Sequence, residues 1–291
     1  MPLTESVQVS ATRLHIHHPE IVKDRYAEFA ANFSDIKPKS EWDLTYKGAF
    51  EKFPSLDLEN SELLFDSGSS WKAHRLGENL LFSLYSTIGQ ERRPTACLVL
   101  NPAHNSLSFY GDELTYPLDE LFFMHTFAQY QSLTLHSSAY LYKGEVTLFC
   151  GVSGAGKTTL ADALKEADLG GILLCDDRNI LTFSDSPFKD VLVCGSPWHG
   201  SGRYRSPLHG PLRRVYFLDP GHEDLSITAV NANTGLPLVL QTLFYPIALK
   251  ADMEVSIDLC YRLVQEQECF HLDYNRQRND IVEILKERDF F

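Results

Sequence analysis

The sequence predicts an α/β protein in two parts: a smaller β-rich α+β domain over residues 1–115, then a larger α/β domain over 116–291. Three observations carry this reading. Residues 145–159, Glu-Val-Thr-Leu-Phe-Cys-Gly-Val-Ser-Gly-Ala-Gly-Lys-Thr-Thr, read as strand, glycine-rich turn and helix, the order of a phosphate-binding P-loop. Shortly after that helix an apolar run, Ile172–Cys175, delivers the pair Asp176-Asp177. The stretch from about 61 to 115 alternates β-prone runs with Gly, Pro, Asn and Ser.

Composition narrows the partners. At 291 residues the chain suits one large domain or two ordinary ones, and a hydrophobic share of 44% supports a sizeable core. A formal net charge of −13 argues against a nucleic acid or an anionic membrane as partner. Six cysteines lie scattered without a C-x-x-C pair, so neither a zinc site nor a redox motif is signalled. Cys150, Cys175 and Cys194 sit in apolar runs and read as small buried hydrophobes. The amino-terminal residues lack the charged region and apolar stretch of a signal peptide, and no apolar run nears the roughly 18 to 20 residues of a membrane span. The expectation is a cytoplasmic protein with no membrane partner.

In chain order, Glu20–Phe33 carries Ile21, Val22, Tyr26, Phe29, Ala30 and Phe33 near one helical face, with Pro19 at its start. His15, His17 and His18 cluster nearby, but no carboxylate or cysteine spacing completes a metal site. Strands are expected at Trp71–Leu76, Leu80–Tyr85, Ala96–Asn101 and Ser106–Tyr110, forming a small antiparallel sheet without a catalytic constellation. Leu118–Gln131 reads as a helix bridging into the second part, with Leu118, Leu121, Phe122, His125 and Ala128 on helical spacing. Leu133–Tyr142 and Val146–Cys150 are strands joined by a Lys143-Gly144 turn. Val191–Cys194 is a further apolar strand. It leads into a Gly- and Pro-rich loop over 195–214 that holds four arginines, two histidines and no acid. Val215–Leu218 reads as a strand, 236–267 as helices broken near Pro246, Cys269–Leu272 as a last strand and Ile281–Arg288 as a closing helix. Arg276 and Arg278 lie just before that helix.

The chemistry of 151–159 explains its residue types. Gly151, Gly154 and Gly156 let the backbone N–H groups of Ser153, Ala155 and their neighbours approach a phosphate chain. The following helix points its positive end at the same anion. Lys157 would reach the β- and γ-phosphates, the Thr158 hydroxyl would meet Mg²⁺, and Thr159 extends the first turn. The aspartate pair after an apolar strand matches the Walker-B arrangement, in which a carboxylate holds Mg²⁺. Successive strand residues face opposite ways, so either the strand ends at the pair or the two aspartates have separate jobs. The arginine-rich loop, with His199, Arg203 and Arg205, suits phosphate or acceptor contact.

Gly151-Val-Ser-Gly-Ala-Gly-Lys-Thr158, the Asp176-Asp177 pair, the earlier Leu-His136-Ser-Ser-Ala and the later Gly195-Ser-Pro-Trp-His-Gly200 occur in an order that resembles the C-terminal domain of HPr kinase/phosphorylase, and more closely the HPr-kinase-related P-loop kinases. The resemblance covers about residues 128 to 291. It implies a P-loop kinase domain of the HPr kinase and phosphoenolpyruvate-carboxykinase-like type, with ATP and Mg²⁺ as cofactors. The activity it implies is transfer of the γ-phosphoryl group to a hydroxyl, that of a serine in a protein or peptide or of a small molecule. It places Lys157 and the loop at the phosphates, Thr158 and Asp177 at the metal, and Asp176 as base assisted by His136. It also implies a homo-oligomer. Thr159 stands where true HPr kinases carry an acid, and residues 1–115 do not resemble their N-terminal domain. A nucleotide-binding regulatory or docking module and a carboxykinase-like small-molecule enzyme remain the alternatives.

Overall fold

The computed structural model describes residues 5–17, 22, 24–29, 36–53, 58–101, 103, 105–184, 190–221, 225–275 and 281–287. The chain divides into two compact units, Met1–Tyr130 with Pro246–Met253, and Gln131–Tyr245 with Glu254–Phe291. The boundary expected at 115/116 falls before helix α1 (Leu118–Gln129), which belongs to the first unit.

The first unit is built on one eight-stranded sheet. Its strands are β1 (Glu5–Val9), β2 (Thr12–Ile16), β3 (Ser40–Gly48), β4 (Glu62–Asp66), β5 (Trp71–Leu76), β6 (Asn79–Ile88), β7 (Glu91–Leu100) and β8 (Ser106–Tyr110), in the order β1-β2-β3-β8-β7-β6-β5-β4. The four strands expected between 71 and 110 are present within β5 to β8. They are half of a larger sheet whose β2–β3 and β3–β8 pairs are parallel. Helix α1 buries ten of its twelve residues, so it is a core helix rather than an amphipathic cover. Trp42 meets Phe122 edge-on at 5.2 Å. The Tyr26 hydroxyl donates to buried Asp119 at 2.8 Å. Of the helix expected over Glu20–Phe33, Asp24–Phe29 forms a 3₁₀ helix. Pro19, His18, Arg276, Arg278 and Arg288 lie outside the described residues, as does most of the rest of that expected helix. His15 and His17 lie against Glu41 and Asp43 as surface pairs.

The second unit holds β9 (Ser132–Tyr142), β10 (Glu145–Cys150), helix α2 (Lys157–Glu166), β11 (Ile172–Cys175), β12 (Arg178–Phe183), β13 (Val191–Cys194), β14 (His209–Pro220), β15 (Ser226–Ala229), α3 (Ala232–Leu240), β16 (Cys269–Tyr274) and α5 (Ile281–Glu287). A further helix, α4 (Lys250–Glu266), begins in the first unit and ends in this one. The sheet runs β10-β9-β12-β13-β14-β16-β15, with β11 as its eighth strand paired to β9, and a parallel β10–β14 pairing closes β10-β9-β12-β13-β14 into a five-stranded barrel.

This arrangement corrects the expected fold class. Strand accounts for 44% of the described residues against 25% for helix, in two eight-stranded sheets, and this is not the α/β fold of a P-loop kinase. The physical reason lies in the connections. A parallel α/β sheet needs a crossover between neighbouring strands. Here β9–β10, β9–β12, β12–β13 and β13–β14 are all antiparallel. Lys143 (φ 51°) and Gly144 (φ 87°) form the tight turn that commits β9 and β10 to a hairpin. The expected loop over 195–214 is shorter than predicted, because His209–Arg214 already belong to β14.

Alternation along β10 explains how the barrel is filled. Val146, Leu148 and Cys150 point to one core, with Leu135, Leu181, Val193 and Val215. Phe149 points to the other, where Leu160 and Leu164 of α2 pack with Leu285 of α5. Gly195, just after β13, is enclosed: a Cβ there would lie 2.1 Å from the Ser206 carbonyl oxygen and 2.9 Å from that of Leu174. Gly195→Ala is therefore expected to destabilise the chain by about 1–3 kcal/mol, read as a lower urea midpoint with an unchanged slope.

Candidate phosphate-binding site

The hairpin β9–β10 and the return of β14 beside β10 present residues 151–156 at one edge of the barrel. Gly154 (φ 81°) and Gly156 (φ 89°) take left-handed backbone conformations that L side chains rarely adopt, and between them the Ala155 N–H donates to the Val152 carbonyl at 3.0 Å. Gly156 caps α2, whose first turn presents its own unsatisfied N–H groups. At Gly151 a Cβ would meet that of Ala155 at 2.6 Å, so the loop closes only with glycine there. Ala155 is buried, and its carbonyl accepts the Tyr274 hydroxyl at 2.8 Å. Gly151 and Ala155 thus shape the loop from behind, while Ser153, Gly154, Gly156, Lys157, Thr158 and Thr159 line a cavity of about 360 Å³.

Lys157 is buried at 5% exposure, and its Nζ donates to the carbonyls of Gly151 (2.8 Å) and Val152 (3.1 Å). Burial holds its pKa below the ordinary lysine value, against the opposing pull of Asp177, Cys150 and Asp176. The Thr158 hydroxyl lies 3.5 Å from that of Ser201.

The same cavity receives both aspartates. Strand β11 ends at Cys175, residues 176–177 form a bend and β12 begins at Arg178. The break lets Asp176 and Asp177 face the same space, which an unbroken strand would forbid. Asp176 is 1% exposed, and its two oxygens accept the backbone N–H groups of Gly200 (2.9 Å) and Gly202 (2.7 Å). Asp177 accepts His136 Nε2–H at 2.9 Å and pairs with Arg178. Burial alone would raise the Asp177 pKa. The hydrogen bond from His136 and the charges of Arg178 and Lys157 outweigh it, so the carboxyl lies below its ordinary value of 3.8.

No family model matches the chain, and no curated protein matches it. The site therefore has to be read from its own geometry.

His199, Arg203 and Arg205 do not line the cavity; Gly200 and Ser201 of the same loop do. His199 is exposed and its ring Nδ1 lies 2.9 Å from the Gly200 carbonyl oxygen. Arg203 is exposed with φ 59°, and Arg205 forms a lone β-bridge with Cys175. The loop thus contributes its backbone, not its charge. A Cβ at Gly200 would lie 2.9 Å from Asp176 Oδ2 and 3.1 Å from Asp177 Cβ, so the close approach needs glycine.

Three residues of the site stand outside the sequence reading. Arg178 neutralises Asp177 and lies 4.8 Å over the Phe244 ring, which also meets His136 edge-on at 5.8 Å. Buried Asn179 donates to the Ser137 carbonyl at 2.7 Å and the Cys175 carbonyl at 3.3 Å, tying β9 to the bend. Arg178 directly follows the aspartate pair, which was a usable signal; Phe244 and Asn179 carry none. Separately, Asp219, His271 and Asp273 hold ligand atoms within 4.8 Å of one another at the far ends of β14 and β16.

The depressed Asp177 pKa has a consequence for stability. A carboxylate whose pKa falls on folding adds stability that is complete above its unfolded pKa and is lost as pH falls through the folded value. Wild type is expected to lose more stability than Asp177→Asn as pH drops below about 4, measured by urea unfolding at stepped pH.

Proposed function

We propose that the chain is an Mg²⁺- and ATP-dependent phosphotransferase that moves the γ-phosphoryl group to the hydroxyl of a protein, peptide or small molecule. The fold does not carry this reading. It rests on one observation: Lys157, Thr158, Asp176, Asp177 and His136 line a single cavity with the glycine-rich turn that starts α2.

The donors suit the cofactors. Backbone amides, a helix start and a lysine match a polyphosphate. Thr158 and Asp176 supply the hard oxygen ligands that Mg²⁺ takes, and the ion would neutralise charge on the phosphates. Asp176 is the deeper carboxylate, oriented by two amides, and suits the metal. Asp177 is the more open one, oriented by His136, and suits proton transfer. This division is the reverse of the one the resemblance implies. In the reaction the bond from the γ-phosphorus to the bridging oxygen breaks, a bond to the acceptor oxygen forms, and the hydroxyl proton passes to Asp177. Lys157 balances charge on the transferring group.

All six cysteines are unpaired and buried, which supports a reducing compartment such as the cytoplasm. No described helix is long and apolar enough to cross a membrane. A host extract split into macromolecular and small-molecule fractions, offered with γ-labelled ATP and Mg²⁺, tests the proposal. Label in a polypeptide gives a protein kinase, and label in the small fraction a metabolite kinase. Binding of Mg²⁺·ATP without transfer to either fraction rejects turnover and leaves a nucleotide-binding regulatory module.

A further inference from the structure

We propose that Ser201 is itself a phosphoacceptor and takes the γ-phosphoryl group from the ATP bound in its own chain. The proposal rests on the phosphotransfer reading and adds to it a modification site.

Ser201 lines the same cavity as Lys157, Thr158, Asp176 and Asp177, and it is exposed. Its Oγ lies 3.5 Å from Oγ1 of Thr158, the hydroxyl that suits Mg²⁺. Ser153, Thr158 and Thr159 also line the cavity, but they belong to the glycine-rich turn and the helix start that would hold the phosphates. Ser201 enters from a separate segment, the loop between β13 and β14. The backbone beneath it is fixed from both sides. The Gly200 N–H donates to Asp176 Oδ1 at 2.9 Å, and the Gly202 N–H donates to Oδ2 at 2.7 Å. One buried carboxylate thus holds both chain neighbours of Ser201. A Cβ at Gly202 would lie 2.7 Å from Asp176 Oδ2, so the turn that carries the serine fits closely against that carboxylate.

A hydroxyl held at the phosphate site by its own chain needs no encounter, which turns a bimolecular step into a unimolecular one. In that step the bond from the γ-phosphorus to the bridging oxygen breaks and a bond from phosphorus to Ser201 Oγ forms. ADP leaves, and the seryl proton passes to Asp177, which lines the same cavity. The phosphoserine carries about two negative charges at neutral pH. It would lie where the next γ-phosphate has to dock, beside Asp176 and Asp177, so transfer stops at one group per chain.

The purified full chain, incubated with γ-labelled ATP and Mg²⁺ and no other protein, tests this, with the label placed by tandem mass spectrometry of its peptides. Label is expected on Ser201, rising to one group per chain, at a rate per chain that does not change on dilution. Asp177→Asn should cut that rate about a hundredfold or more, which excludes a contaminating kinase. If ADP forms, or label passes to an acceptor in a host extract, while Ser201 stays unmodified, the serine is only a wall of the cavity. That result overturns the proposal and leaves the phosphotransfer reading standing. Label on another residue, or a rate per chain that climbs with protein concentration, overturns it as well. If no ADP forms and no acceptor takes label, the phosphotransfer reading fails and this proposal fails with it.

Discussion

Lys157→Ala is expected to cut phosphotransfer from ATP by about a hundredfold or more, with the chain still folded. Lys157 is the one described side-chain cation of the glycine-rich loop, and it lies inside the cavity rather than over its rim. Its amine already holds two loop carbonyls together, those of Gly151 and Val152. A polyphosphate offers the same amine a full negative charge in place of two dipoles, and its field would restore the lysine pKa that burial depresses. Removing the amine takes away a charge that matters most as negative charge develops on the transferring group. The cost to folding is small, because a buried ammonium carries a desolvation penalty that offsets its two hydrogen bonds. Rates measured with γ-labelled ATP at saturating Mg²⁺, beside a thermal melt of each variant, separate the two effects. Near-normal turnover in a folded Lys157→Ala chain would remove the phosphate site from this cavity.

The second large effect distinguishes the two aspartates. Asp177→Asn is expected to lower kcat about 10²- to 10⁴-fold, the range for loss of a positioned base, while the affinity for Mg²⁺·ATP changes little. Asn keeps the shape and the contact with Arg178 through its carbonyl oxygen but does not take up a proton, and its NH₂ meets His136 Nε2, which can accept it by moving the ring proton to Nδ1. Asp176→Asn is expected to behave differently. Both Asp176 oxygens accept backbone N–H groups, from Gly200 and Gly202. An asparagine must turn its own NH₂ toward one of them, leaving two donors face to face at a cost of about 1–3 kcal/mol. The 200–202 turn should loosen and the Mg²⁺ requirement should rise. Titrating Mg²⁺ at fixed ATP reads this as a shift in half-saturation. The reverse result, with Asp177→Asn raising the Mg²⁺ requirement and Asp176→Asn losing only kcat, would exchange the two roles.

Local order was legible in the sequence and long-range closure was not. Glu145–Thr159 contains its own strand, turn and helix signals, because β-propensity, left-handed glycines and a helix start act within a few residues. The same holds for the Lys143-Gly144 hairpin turn and for the strand at Ile172–Cys175. The apolar spacing over Leu118–Gln131 marked a helix, which runs Leu118–Gln129, but it did not signal that Asp119, Glu120 and Thr126 are buried as well. What misled was the inference from one strand–loop–helix unit to a whole α/β sheet. The pairing of β10 with β14 joins Cys150 to Phe217, and that of β3 with β8 joins Asp43 to Ser106. No local pattern states such a register, since any strand of suitable alternation satisfies it.

The site divides along the same line. The loop glycines, Lys157, Thr158 and the aspartate pair were singled out from the sequence by their types and spacing, and they line one cavity or shape its loop. Tertiary structure alone decided that β11 breaks at Cys175 and turns both carboxylates into one cavity. It alone brought Gly200 and Ser201 there instead of His199, Arg203 and Arg205, and set His136 against Asp177. It also enclosed His125 with Asp252, 127 residues away. Propensity and motif act through neighbours in the chain, whereas the burial, pairing and orientation of charged groups depend on distant segments that meet only when the barrel and the sheet close.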